Sequence, residues 1–202
     1  MGIRAALLDM DGTIFDSKID WVSLREEIPI PWDGRPILAQ LREASPETSA
    51  HGLAMLHEAE RVGAERGELI PGTEEILDLL HRHGVRCALI TNNSRRSVET
   101  VLRRYALSFD LVLTRDDGAY KPDPEAFLGA LDQLKVRPRE AVAIGDAHLD
   151  FIAAHRAKIR EVILVGTPSW MMDHIPAGAD YHAAADLVEA RAILERLLAD
   201  GG

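Results

Sequence analysis

Five short apolar runs recur along this 202-residue chain: Ile3 to Leu8, Val85 to Ile90, Leu111 to Leu113, Ala141 to Ile144 and Val162 to Val165. Continuous rather than alternating apolarity marks a strand covered on both faces, as parallel strands are in α/β proteins. Between the second and third runs, Ser94 to Tyr105 carries Val98, Val101 and Leu102 at helical spacing. Between the third and fourth, Pro124 to Leu134 carries Phe127, Leu128, Leu131 and Leu134. Two further helices are predicted, Thr73 to His83 with Gly84 to end it, and Ala184 to Leu198 with Leu187, Ala190, Ile193, Leu194 and Leu197 turned inward. Parallel crossovers are right-handed, so the expected fold is a doubly wound, Rossmann-like α/β sheet whose ligand site lies beyond the carboxyl ends of its strands.

Residues 17–70 interrupt this alternation. They hold no convincing strand and read as three helices, Ile19 to Ile28, Arg35 to Ala44 and Glu47 to Arg66, each with an apolar stripe to bury. The expected organisation is a small all-helical cap inserted into a core made of residues 1–16 and 71–202. Pro71-Gly72 marks the return to the sheet, and Asp16 and Ser17 are a candidate hinge.

Charge and cysteine content narrow the function. Lys and Arg total 23 against 33 Asp and Glu, a formal charge of -10 with no basic run, which argues against a nucleic-acid partner. Cys87 is the single cysteine and lies in an apolar run, so it reads as a buried structural thiol. No apolar stretch is long enough to span a membrane, and the apolar N-terminus is too short for a signal peptide. A cytoplasmic protein without membrane association is expected, as a monomer or a homodimer.

Four groups of polar residues fall just after predicted strands. Asp9-Met10-Asp11-Gly12-Thr13 places two carboxylates on one site, where one can attack as a nucleophile and the other transfer a proton; an Asx turn ending a strand explains the same residues equally well. Gly12 lets the backbone approach a ligand closely. Thr91-Asn92-Asn93-Ser94 precedes a helix, where a hydroxyl and unpaired amides form an anion cradle or merely a cap. Lys121-Pro122-Asp123-Pro124 holds one lysine on a stiffened loop, and Gly145-Asp146-Ala147-His148-Leu149-Asp150 sets two acids four apart.

In this order, the four motifs resemble the haloacid dehalogenase superfamily, phosphatase branch, in the helical-cap subgroup that includes phosphoglycolate phosphatase and β-phosphoglucomutase. The resemblance implies that Asp9 attacks phosphorus and that Asp11 protonates the leaving oxygen, then activates water. It implies Mg2+ held by Asp9, the Asp11 carbonyl and Asp146, and phosphate held by Gly12, Thr91, Asn92 and Lys121. Asp150 would orient Lys121 or a metal-bound water. The expected activity is Mg2+-dependent hydrolysis of a small phosphorylated metabolite. A phosphomutase is the nearest alternative; a 2-haloacid dehalogenase, which has no use for Asp11, and a non-catalytic binding protein stand further off.

In the cap, Trp21 and Trp32 can line a substrate pocket or pack a small core. Arg25, Arg35 and Arg42 are candidates for a second anionic group on the substrate, and His148 is a candidate substrate contact.

Overall fold

The computed structural model describes residues 2–31, 35–168 and 173–199. Its centre is a six-stranded parallel sheet built from β1 (Ala5–Leu8), β4 (Arg86–Ile90), β5 (Leu111–Leu113), β6 (Ala141–Gly145), β7 (Glu161–Val165) and β8 (His182–Ala184). The spatial order is β5-β4-β1-β6-β7-β8, so the winding reverses between β1 and β6. Leu8 at the end of β1 lies between Leu89 and Ile144 of its two neighbours.

Alternate residues of β1 feed two separate cores. Ala6 and Leu8 pack toward α4 (Thr73–Arg82), α5 (Arg95–Tyr105) and α8 (Leu187–Ala199), among Ile76, Leu80, Val98 and Leu194. Ala5 and Leu7 face α6 (Glu125–Leu134) and α7 (His148–Arg156), among Phe127, Leu131 and Phe151. Burial on both faces is why these strands read as unbroken apolar runs. Cys87 lies inside the first core, and burial pushes its thiol up to about 12, as befits an inert structural cysteine.

Between β1 and α4 the chain forms a two-stranded antiparallel ribbon, β2 (Phe15–Asp16) with β3 (Glu68–Leu69), which frames α1 (Trp21–Glu27), α2 (Ile37–Glu43) and α3 (Pro46–Arg66). These helices share a small core of Leu24, Ile28, Leu41 and Leu56. Gly52 permits the contact of α2 with α3, because a Cβ there would sit 2.5 Å from Leu41 Cδ2. Trp32 lies outside the described residues.

Several boundaries differ from the sequence expectation for local reasons. The Asp20 carboxylate accepts the Ser23 N–H and starts α1 two residues after Ile19. Pro36 precedes α2, which begins at Ile37 rather than Arg35. Ala184 belongs to β8, paired with Val165, so α8 starts at Leu187. Among the described residues no helix is long and apolar enough to cross a membrane.

Candidate active site

The polar motifs converge at the carboxyl ends of β1, β4 and β6, beside the point where the winding reverses. Asp9 leaves β1 with its N–H donating to the Ile144 carbonyl at 2.9 Å. Its carboxylate meets the buried Lys121 Nζ at 2.5 Å, and the same ammonium reaches Asp150 at 2.6 Å. Lys121 is in turn gripped through its backbone by Asn92, whose side chain donates to the Lys121 carbonyl at 2.8 Å and accepts the Lys121 N–H at 2.9 Å. One asparagine thus ties the β4 loop to the lysine loop. Asp150 also accepts the Ala147 N–H at 3.2 Å and packs on Gly145, where a Cβ would meet its Cγ at 2.2 Å.

After Asp9 the chain folds around the Met10 carbonyl, which accepts N–H groups from Thr13, Ile14 and Phe15. The turn needs Gly12 at φ +82°, in the left-handed region. An added Cβ at that position would lie 2.3 Å from Asp146 Oδ2. Gly12→Ala is therefore expected to cost about 1–2 kcal/mol from backbone strain. It is also expected to displace the Asp146 carboxylate, lowering activity by about 100-fold; thermal unfolding and steady-state rates on the same preparation check both effects. The Asp11 carboxylate is turned toward the start of the helical insertion, accepting the Ser17 N–H at 3.1 Å.

Negative charge is in excess here. Four aspartates, Asp9, Asp11, Asp146 and Asp150, line the cavity with one lysine. Burial pushes the Asp9 carboxyl up to about 6 against the pull of Lys121, and burial likewise pushes Asp11 up to about 6. Asp146 is raised well above the ordinary carboxylate range by burial and then by the Asp9 and Asp150 charges. Burial opposes the Lys121 charge, yet Asp150 and Asp9 outweigh it and hold the ammonium above the usual lysine range. Asp9, Asp146 and Asp150 each offer a carboxylate oxygen, all within 4.8 Å of one another. A hard, all-oxygen donor set with uncompensated charge fits a small divalent cation.

Trp21, Pro36, Ile37, Leu38 and Leu56 from the insertion close the other side of a cavity of about 290 Å³. Glu60 of α3 lines it too, and its carboxylate, almost wholly buried, is paired with the guanidinium of Arg115 from the loop after β5. Arg115 also donates to the Asn92 carbonyl at 2.9 Å, and the Ser94 N–H reaches Glu60 at 3.3 Å. Sequence reasoning missed this pair. Its signal was available, since Glu60 lies four residues after Leu56 and so puts a charge on the apolar stripe of its helix.

Of the residues singled out for phosphate, Thr91, Asn92 and Lys121 line the cavity, and Trp21 lines it from the insertion. Arg25 does not; its guanidinium donates to the carbonyls of Pro31 at 2.9 Å and Arg35 at 3.1 Å. Arg35 pairs with Glu43 at 2.7 Å, and Arg42 lies over the Tyr120 ring. The His148 ring lies beside that of His174, tilted by 34° with centroids 4.9 Å apart, and burial and His174 hold its pKa below the usual histidine value.

The family model for haloacid dehalogenase-like hydrolases matches residues 3–158. Phosphoglycolate phosphatase 1 of Pseudomonas aeruginosa is 28% identical over 183 residues, 78% of this chain and 67% of that protein. The β-phosphoglucomutase of Bacillus subtilis is 28% identical over 184 residues, 77% of this chain and 80% of that protein. A hydrolase structure from Pseudomonas syringae superposes with a TM-score of 0.75 at 22% identity, covering 96% of this chain and 98% of that one, and shows the shared fold.

Proposed function

The chain belongs to the haloacid dehalogenase-like hydrolase family, and from that premise we propose that it is a Mg2+-dependent phosphatase that hydrolyses a small phosphorylated metabolite through a phosphoaspartate. The observation that carries this reading is the pairing of Asp9, held by Lys121 at the end of β1, with Asp11 two residues on and held apart by Ser17. Two carboxylates with separate supports suit separate roles.

Asp9 attacks phosphorus, and the bond to the leaving oxygen breaks as Asp11 delivers its proton. Asp11, now a carboxylate, takes a proton from water as that water attacks the phosphoaspartate, which restores Asp9 and releases phosphate. A carboxyl held near 6 by burial can donate and accept near neutral pH. Lys121 neutralises Asp9 and the incoming phosphate, and the Thr91 hydroxyl with the amides beside it receives phosphate oxygens. Asp9, Asp146 and the Asp11 carbonyl would hold Mg2+, which when bound supplies the positive charge that lets an anionic nucleophile meet an anionic phosphate. Residues 17–70 act as the cap over a core of 1–16 and 71–202, with the β2/β3 ribbon as its base.

Release of inorganic phosphate from p-nitrophenyl phosphate tests this reading. Activity is expected with Mg2+ and should fall to background with EDTA; undiminished EDTA-resistant turnover overturns the metal assignment. The similarity to β-phosphoglucomutase favours a phosphomutase as the second reading. An isomeric sugar phosphate formed without stoichiometric free phosphate would select it.

The pH dependence has a definite sign. With Asp9 and Asp11 raised to about 6, the metal-free fold prefers their protonated forms. That contribution is fully present below the ordinary carboxylate value and is lost as pH rises through about 6. A cation competes with those protons. Saturating Mg2+ is therefore expected to raise Tm more at about pH 7.5 than at about pH 5. Equal shifts at the two pH values contradict it.

A further inference from the structure

Resting on the phosphatase reading, we propose that the leaving group of the natural substrate is compact, apolar and uncharged, an alkyl or aryl phosphomonoester carrying no second carboxylate or phosphate. The cavity has two unlike halves. Its floor holds the aspartates and Lys121, the one cation among the described lining residues, and that ammonium is already shared between Asp9 and Asp150. The opposite wall, where the leaving group must lie, is formed by Trp21, Pro36, Ile37, Leu38 and Leu56, and its one charged member among the described residues is Glu60, paired with Arg115.

The insertion has arginines that could have met a second anion, but they are used elsewhere. Arg25 holds the loop carbonyls of Pro31 and Arg35, Arg35 pairs with Glu43, and Arg42 covers Tyr120. Residues 32–34 and 169–172 contain no lysine or arginine, so they bring no basic side chain either. A carboxylate placed against this wall would lose water and find no free cation among the described lining residues, because the nearby Arg115 guanidinium is already taken by Glu60. An apolar group would exchange water for Trp21, Ile37 and Leu38. At about 290 Å³ the cavity is at the small end for ligand sites, which suits a short chain or a single ring.

Matched esters test this. Specificity constants are compared for phenyl phosphate against 3-carboxyphenyl phosphate and for ethyl phosphate against 2-phosphoglycolate, pairs in which the chief difference is the carboxylate. The uncharged member of each pair is expected to be preferred by about tenfold or more. Leu38→Arg is expected to narrow or reverse that ratio, through a lower KM for the carboxylate esters. Equal or greater activity on the carboxylate members overturns the leaving-group assignment and leaves the phosphatase reading standing. No turnover of any of the four removes the phosphatase reading and this inference with it.

Discussion

Asp9→Asn is expected to lower turnover of p-nitrophenyl phosphate by at least about 10⁴-fold while leaving the fold intact. The amide keeps the shape of the side chain and can still accept from Lys121, but it cannot attack phosphorus. The stability side follows from the charge excess. Asp9 is buried beside Asp146 and Asp150, and burial already pushes its carboxyl up to about 6. Removing that charge relieves repulsion on Asp146, and Lys121 keeps Asp150 at 2.6 Å. Thermal unfolding without metal should therefore show a variant at least as stable as the parent. Activity within tenfold of the parent would remove Asp9 from the nucleophile's role.

The largest expected loss of stability comes from Glu60→Ala. Glu60 and Arg115 have side chains 2% and 6% exposed, and they join α3 of the insertion to the loop after β5. Removing one member of a buried pair strands the other charge, which costs about 3–5 kcal/mol. For a chain of this size that lowers Tm by roughly 6–20 °C. Arg115→Met alone should cost as much, whereas the double variant Glu60→Ala/Arg115→Met should be more stable than either single one, because no charge is left unpaired. The pair also braces the loop after β4, proposed to receive phosphate, through the Asn92 carbonyl and the Ser94 N–H. A higher KM for phosphate esters should therefore accompany the single variants. Additive losses in the double variant would show that the two charges do not support each other.

The sheet was legible because its strands are covered on both faces. Ala5 to Leu8 and Cys87 to Ile90 are apolar without a break, and the polar residues that follow them mark where the strands leave the core. The site motifs were legible for the same reason, since Asp9 and Asp146 each follow an apolar strand and those strands are neighbours. The β2/β3 ribbon was not, because two residues per strand leave no period to detect. His182 to Ala184 lacks both length and β-branched residues, and its pairing with β7 depends on the rest of the sheet. The Asn92 side chain also spans the Lys121 backbone, a contact 29 residues distant in sequence that no local pattern encodes. The roles proposed for Arg25, Arg35 and Arg42 rested on charge alone, and charge does not reveal which carbonyl, acid or ring an arginine will take.

The proposed chemistry converges on one covalent species at one residue. Acid-quenching the enzyme during turnover of a phosphate ester in Mg2+, followed by mass spectrometry of its peptides, reads that species directly. One acid-stable, hydroxylamine-sensitive phosphoryl group is expected on the peptide carrying Asp9, absent from Asp9→Asn. Phosphate release with no modified peptide at any quench time, or with the phosphoryl group on another residue, would contradict the role assigned to Asp9.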